Sequence, residues 1–129
     1  MATGRGARSP EDCDNLLTDF LAAGDVDAIV ELYEPGAAFV TRDREVKVGR
    51  DAIRQAFKVF AAAKPRLRVT IVMTLRNGDN LAVLYNDWTM SVRRPDGQTV
   101  ETAGKAIEVV CRQSDGTWKF AVDDPFARS

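Results

Sequence analysis

The sequence predicts an α+β domain in which three N-terminal helices pack on one face of a curved antiparallel sheet. Apolar residues recur at helical spacing in the first half of the chain, and they alternate with polar residues in the second half. Three short turns, Asn-Gly-Asp, Pro-Asp-Gly and Ser-Asp-Gly, divide the second half into successive strands. Helices that precede a run of strands are typical of α+β domains.

The first two helices are marked by capping signals. Ser9, Pro10 and Asp12 occupy the positions of an N-cap, a first helical residue and a capping box, and the apolar pattern after them runs to Gly24. Asp25 is placed to cap a second helix, "VDAIVELYE", which the following Pro-Gly pair ends.

The rest of the chain contains a ribbon, a third helix and four strands. "AAFVTRDREVKVG" reads as a short extended ribbon, and "RDAIRQAFKVFAAAK" as a helix that ends before Pro65. The strands are "RLRVTIVMTLR", "NLAVLYNDWTMSV", "QTVETAGKAIEVVCR" and "TWKFAVDD". One face of the third helix carries Ile53, Ala56, Phe57 and Phe60.

Length and composition indicate one compact domain over residues 11–126, preceded by a disordered tail over residues 1–10. The chain has 129 residues, of which 45% are hydrophobic, and its formal net charge of −1 favours neither nucleic acid nor an anionic membrane as partner. The first ten residues lack the apolar core of a signal peptide, and no later segment approaches a membrane-spanning length. We therefore expect a cytoplasmic protein whose partners are small molecules or proteins.

The absence of histidine restricts the chemistry. Without a histidine base, serine and cysteine triads and most zinc sites are excluded, so acid-base chemistry must use carboxylates, lysine, tyrosine or water. Cys13 and Cys111 are far apart and have no metal-like spacing, which favours two reduced thiols in or near the core. We expect neither a metal nor a cofactor.

The length of the last two hairpin loops decides which strand face lies beside Trp118, since a slip of one residue exchanges the two faces. A two-residue Asp-Gly turn would place Lys105, Ile107, Val109 and Cys111 there. A three-residue loop with Gly116 left-handed would place Ala106, Glu108, Val110 and Arg112 there instead. Pro95 fits the first position of a three-residue loop, so we choose that length for both hairpins.

The chosen register predicts a largely apolar inner wall. In this register Trp88 lies opposite Gly104, and Glu108 lies between Leu84 and Val122. Asp124 then faces inward and Asp123 outward. The predicted wall comprises Leu84, Asn86, Trp88, Met90, Ala106, Glu108, Val110, Trp118, Phe120, Val122 and Asp124.

Four stretches carry a resemblance to the nuclear transport factor 2-like superfamily, and most of all to its SnoaL-like and ketosteroid isomerase-like branch. They are "AAGDVDAIVELYEPGAAFV", "GRDAIRQAF", "DGTWKF" and "DDPF". The resemblance implies a cone-shaped fold whose interior pocket lies between the helices and the sheet. It also implies a homodimer packed through the sheets, here through Val72, Tyr85, Thr89 and Ile107. Because this fold hosts isomerases, cyclases, hydrolases and proteins without activity, it implies little about chemistry.

Of the three functional residues of ketosteroid isomerase, this sequence retains one. The position of the family's catalytic aspartate falls on Thr41, and that of its oxyanion-hole tyrosine falls on Leu17. The second oxyanion donor, a protonated carboxylic acid in that family, falls near Glu108. Steroid isomerisation by the familiar route is therefore not expected.

Two functions stay open at the level of sequence. The first is a pocket enzyme, an isomerase, cyclase or dehydratase, that uses Glu108 and Asp124 on a small apolar or polyketide-like substrate. The second is a non-catalytic dimeric module that binds a ligand or acts as a scaffold. Glu108 would be an acid in an apolar pocket or a carboxylate paired with an arginine at the rim, and Asp124 a base or a strand-end residue that bonds nearby backbone. The predicted ligand contacts are Tyr33, Thr41, Phe57, Asn86, Trp88, Met90, Trp118 and Phe120.

Overall fold

The computed structural model describes residues 6–129 as three helices and a six-stranded sheet. The β1–β2 hairpin separates the second and third helices, so the prediction of three helices ahead of all strands is only roughly right. The sheet has the order β2-β1-β6-β5-β4-β3, and β1 runs parallel to β6 in an otherwise antiparallel arrangement. The elements are α1 (Asp12–Ala23), α2 (Val26–Glu31), β1 (Tyr33–Val40), β2 (Val46–Val48), α3 (Arg50–Ala62), β3 (Arg66–Asn77), β4 (Leu81–Arg93), β5 (Thr99–Arg112) and β6 (Trp118–Arg128).

The predicted caps of α1 and α2 form. The Asp12 backbone N–H donates to the Ser9 hydroxyl at 3.1 Å, and Gly24 ends α1 with a left-handed φ of 71°. The Asp25 carboxylate accepts a bond from the Ala28 N–H at 3.1 Å. However, α2 ends at Glu31, four residues before the Pro-Gly pair that was expected to stop it.

The early end of α2 follows from the sheet. The Phe120 N–H donates to the Leu32 carbonyl at 2.8 Å, and Tyr33 already pairs with Phe120 as the first residue of β1. Tyr33 is completely buried there. Pairing with β6 and burial of an aromatic ring therefore replace what would have been the last helical turn.

The segment just before α1 is ordered. Ala7 is fully buried, and its carbonyl accepts the Trp118 N–H at 2.9 Å in an isolated β-bridge. The predicted disordered tail is therefore wrong for residues 6–10, and residues 1–5 lie outside the described part of the chain.

Both loop lengths chosen from the sequence are confirmed. Gly97 and Gly116 each have a φ of 85°, the left-handed conformation that a three-residue hairpin loop requires. The Gln113 N–H donates to the Thr117 carbonyl at 2.6 Å and closes the last loop. Between β4 and β5, the pairs Trp88 with Gly104 and Leu84 with Glu108 are also as predicted.

A bulge in β6 overturns the predicted positions of the two adjacent aspartates. Val110 pairs with Phe120 and Val109 with Val122, so Ala121 is an extra residue on β6. An extra residue reverses the inward and outward alternation beyond it. Asp123 therefore faces inward opposite Glu108, whereas Asp124 faces outward. The predictions that Asp124 faces the pocket and that Glu108 lies opposite Val122 are wrong.

The core lies between the helices and the inner face of the sheet. Both cysteines are free thiols, Cys13 buried and Cys111 half-buried, as predicted. None of the helices within residues 6–129 is long and apolar enough to cross a membrane. The core surrounds a cavity rather than filling the interior completely.

Candidate active site

A largely apolar cavity of about 710 Å³ lies between the helices and the sheet. Its volume is in the range of small-molecule sites in proteins. Trp88 and Phe57 line this cavity without blocking it. The apolar part of the wall is supplied by Leu17, Leu21, Phe39, Ala56, Phe57, Leu67, Val69, Trp88, Met90 and Ala106.

Four polar side chains meet at the buried end of this cavity, which we call the deep end. Asp14 comes from α1, Asn86 from β4, Glu108 from β5 and Asp123 from β6. Each is at most 4% exposed. Each also has one oxygen atom that accepts no hydrogen bond from the described protein. Because unpaired buried oxygens are costly, this arrangement favours a polar group of a ligand at the deep end.

Two hydrogen bonds orient the deep end. The Tyr33 hydroxyl donates to Asp123 Oδ2 at 2.6 Å, and Asn86 Nδ2 lies 3.5 Å from Asp14 Oδ2. The tyrosine is itself held firmly, since Arg50 donates two bonds of 2.9 and 2.7 Å to the Tyr33 carbonyl. The Tyr33 ring also packs on Phe120 with centroids 4.9 Å apart. Tyr33 therefore fixes one oxygen of Asp123 and leaves Oδ1 without a protein partner.

Burial shifts the ionisation of all three carboxyl groups upwards. Desolvation, followed by the negative charges of Asp14 and Asp123, raises the pKa of Glu108 well above its usual value. Desolvation raises the pKa of Asp14 to about 6, although a hydrogen bond with Glu108 opposes this shift. Desolvation likewise raises the pKa of Asp123 to about 7, and the Tyr33 hydrogen bond lowers it in part.

These shifts divide the carboxyl groups into two roles near neutral pH. Glu108 keeps its proton and donates a hydrogen bond to Asp14, which lowers the pKa of Asp14 and raises that of Glu108. Asp123 is ionised in part of the molecules. Burial and the Asp123 charge raise the pKa of Tyr33, so its hydroxyl stays a donor. The deep end thus holds a protonated acid beside a carboxylate with a free oxygen.

The opposite end of the cavity, which we call the mouth, is exposed and charged. It is formed by Thr41, Arg42 and Asp43 at the turn between β1 and β2, together with Lys47, Phe60 and Phe126. Next to it, Arg44 makes a bidentate ion pair with Asp124, with N–O distances of 2.7 and 2.9 Å. Asp124 is therefore a surface residue that ties the β1–β2 turn to the end of β6.

The predicted site residues lie at different places relative to the cavity. Thr41, Phe57, Asn86, Trp88 and Met90 line the cavity, and Glu108 lies at its deep end. Tyr33 does not line the cavity; its hydroxyl donates a hydrogen bond to Asp123, which does. Trp118 and Phe120 are core residues behind the site, and Asp124 is outside it.

Sequence reasoning missed Asp14 and assigned Asp123 to the wrong face. Asp14 stands three and seven residues before Leu17 and Leu21, so it lies on the apolar stripe of α1. A carboxylate at such a position is the signal that identifies it. The sequence contains no comparable signal for the β6 bulge. Leu17 and Thr41, the places of the isomerase tyrosine and aspartate, both line the cavity but with different chemistry.

The acidic residues of the deep end do not form a metal site. Within residues 6–129, no three His, Cys, Asp or Glu side chains are grouped so that they could hold a metal ion.

The fold and the family agree with the resemblance seen in the sequence. The SnoaL-like domain family matches residues 15–121, and the chain belongs to this family, within the nuclear transport factor 2-like superfamily. A search of curated proteins finds no match to the sequence.

Solved structures from three bacteria share the fold. A conserved protein from Planctomyces limnophilus DSM 3776 has a TM-score of 0.78 at 16% identity, covering 90% of this chain and 91% of its own. An NTF2-like superfamily protein from Salmonella enterica serovar Typhimurium LT2 has a TM-score of 0.76 at 20% identity, covering 92% and 89%. A ketosteroid isomerase-like protein from Erwinia carotovora atroseptica has a TM-score of 0.75 at 13% identity, covering 88% and 89%. At these identities the likeness establishes the fold alone.

Proposed function

We propose that this protein is a cofactor-independent acid-base enzyme that acts on a small apolar or polyketide-like carbonyl compound, as an isomerase, cyclase or dehydratase. The observation that carries the proposal is the position of Asp14, Glu108 and Asp123 at the deep end of an apolar cavity. Each has an oxygen without a protein partner and a pKa raised by burial. Buried groups with such shifts in a cleft are typical of catalytic sites.

Asp123 is the proposed base. Its Oδ2 is held by the Tyr33 hydroxyl at 2.6 Å, its Oδ1 is unpaired within the described protein, and the residue lines the cavity. A pKa of about 7 matches a base that works near neutral pH. We expect Oδ1 to remove a proton from a carbon next to the substrate carbonyl.

Glu108 is the proposed acid. Burial keeps it protonated, and it lies directly opposite Asp123 in the β5–β6 pairing. A neutral carboxylic acid in an apolar site stabilises the negative oxygen that forms when the neighbouring carbon loses its proton. Asn86, at the same end, offers an amide to the same polar group.

The proposed reaction needs only these residues and the substrate. Asp123 takes the proton, the C–H electron pair forms an enolate, and Glu108 hydrogen-bonds the enolate oxygen. Return of the proton to another carbon completes an isomerisation, loss of a hydroxyl group as water completes a dehydration, and attack on a second carbonyl completes a cyclisation. Which of the three occurs depends on the substrate.

The alternative is a module that binds an apolar ligand without turnover. It is favoured by Leu17 and Thr41, which replace the tyrosine and aspartate of the isomerase pattern at the cavity wall. The two functions differ in one measurable property, which is the ability of Asp123 to remove a proton from bound carbon acid.

A nitrobenzisoxazole probe tests this property without knowledge of the natural substrate. Removal of its ring C–H proton breaks the N–O bond and releases a coloured cyanophenolate, so base catalysis is followed by absorbance. We expect Asp123→Asn to lower the rate by roughly two orders of magnitude or more. We also expect the wild-type rate to rise with pH through about 7, where Asp123 loses its proton.

Asp124→Asn is the matched control, since it removes a carboxylate one residue further along the same strand but outside the cavity. Its rate should equal that of the wild type. A rate that is unchanged in Asp123→Asn, or equal losses in both variants, would support the binding module instead.

We also propose a homodimer through the outer face of the sheet. Val72 is 50% exposed, and Tyr85, Thr89 and Ile107 extend a mixed apolar and polar surface across β4 and β5. Light scattering at micromolar concentration should give twice the mass of the 14.2 kDa chain. A monomer mass would contradict the proposal.

A further inference from the structure

We propose that Arg42 at the mouth binds an acidic group of the ligand, so that the site takes an apolar molecule with a carbonyl head at one end and an anion at the other. This inference rests on the proposed function for the deep end. It adds a specificity-determining residue and a charge to the substrate class.

Arg42 is a cation without a carboxylate partner. Its guanidinium lies over the Phe126 ring at 5.5 Å, and within residues 6–129 it makes no ion pair. The neighbouring Arg44, in contrast, is fully engaged by Asp124. Stacking on an aromatic face leaves the in-plane N–H groups of an arginine available for a carboxylate.

The other charges at the mouth are already engaged. Asp43 accepts a bond from the Thr41 hydroxyl, and Lys47 lies 3.4 Å from Glu45. Arg42 is therefore the lining residue of the mouth whose charge is most available to a ligand.

The acidic residues of the deep end determine which end of the ligand binds there. Asp14, Glu108 and Asp123 are acidic, and none has a basic partner among the described residues. An anion placed there would be desolvated beside other negative charges, which is unfavourable. At the mouth the same anion would stay near water and beside Arg42. The apolar wall between the two ends suits the body of such a molecule.

A matched pair of fluorescent probes tests the anion site. Anilinonaphthalene sulfonate and phenylnaphthylamine share the same arylamine body, but the first carries an anion and the second is neutral. We expect wild-type protein to bind the sulfonate more tightly, and Arg42→Gln to weaken the sulfonate about fivefold while changing the neutral probe less than about twofold. Raising the salt concentration should reduce the preference.

Arg68→Gln is the control, since it removes the same charge from an exposed position on β3 that does not line the cavity. It should leave both affinities unchanged. Ala56→Trp, which narrows the cavity from α3, should weaken both probes and so locate them inside it.

The outcomes separate this proposal from the function on which it rests. Neutral-probe binding without a preference for the sulfonate, or equal losses of both probes in Arg42→Gln, overturns the anion site alone. Equal sulfonate losses in Arg42→Gln and Arg68→Gln also overturn it, because they reflect net charge. Failure of both probes to bind overturns the anion site and removes the ligand pocket from the proposed function.

Discussion

Acidic residues lie both at the deep end of the cavity and beside its mouth, but their surroundings are opposite in kind. Beside the mouth, Asp124 is paired with Arg44 through two hydrogen bonds, and the side chain of Arg44 is 54% exposed. At the deep end, Asp123 is 2% exposed and takes its bond from a neutral tyrosine. These two aspartates are neighbours in sequence.

The surroundings of a carboxyl group decide whether it can take part in proton transfer, and the two aspartates differ in this respect. Asp124 lies beside the guanidinium of Arg44 and is partly exposed. Asp123 has no cation beside it among the described residues, and burial raises its pKa to about 7. The bulge at Ala121 is what assigns one aspartate to each environment.

The largest effect is expected from Glu108→Gln. The amide keeps the shape of a protonated carboxyl group without a charge, so the fold should be preserved, but it is a weaker hydrogen-bond donor to a forming enolate than the carboxylic acid. Loss of the acid should lower any turnover by roughly two to four orders of magnitude. Carbon-detected NMR of Glu108 in the wild type should give a pKa well above the ordinary value of about 4.3. An ordinary pKa of Glu108, or an unchanged rate in Glu108→Gln, would contradict the distinction drawn between the deep end and the mouth.

Trp88→Ala should destabilise the domain by about 3 to 5 kcal/mol. Trp88 is 9% exposed, its indole N–H donates to the Pro125 carbonyl at 2.8 Å, and Phe126 packs edge-on with centroids 5.2 Å apart. The indole therefore connects the cavity wall to the end of β6. Urea denaturation gives the measurement, and a loss below about 1 kcal/mol would contradict the register of β4.

The register of β4 and β5 is the part of the fold that the sequence predicts best. Pro95 and the two Asp-Gly turns have specific backbone requirements, and these set the loop lengths and the inward position of Glu108. The helix caps are likewise local signals, and Asp25 and Gly24 act as expected.

The remaining features depend on tertiary contacts. The parallel pairing of β1 with β6 removes the last turn of the predicted second helix, because Tyr33 gains more from the core than from the helix. The bulge at Ala121 also has no local signature. It places two acidic residues, Glu108 and Asp123, directly opposite each other, and this pairing is tolerated because Glu108 stays protonated and Tyr33 donates to Asp123. A protonated acid carries no charge, so the repulsion that normally opposes such a pair is removed.

The pH dependence of stability should report the deep end directly. The folded-state pKa values of Asp14 and Asp123, about 6 and about 7, lie above the value of about 3.9 for an unfolded chain. The folded state thus binds more protons, and the stabilisation present at low pH is lost as pH rises through 6 and 7. We expect the free energy of unfolding to fall by roughly 2 to 4 kcal/mol between about pH 5 and 8.

Asp123→Asn provides the control for this effect, since it removes the group with the larger of these two pKa shifts. The decline with pH should become shallower and move to lower pH, where Asp14 titrates. A free energy of unfolding that rises between pH 5 and 8 in the wild type would contradict the raised pKa values of the deep end.

The smallest effect is expected from Asp124→Asn, measured as stability rather than activity. The Arg44 ion pair has good bidentate geometry, but it lies at the surface, where water and salt screen it and where two side chains must be ordered to form it. We expect a loss of about 1 kcal/mol or less in urea denaturation, with little change in the pH dependence of stability between pH 5 and 8, because the carboxyl groups of the deep end are left in place. Asp123→Asn alters that pH dependence and Asp124→Asn does not, so the pair of variants separates the two environments. If Asp124→Asn instead flattened the pH profile, the two aspartates would have exchanged roles, and β6 would follow the regular alternation without its bulge.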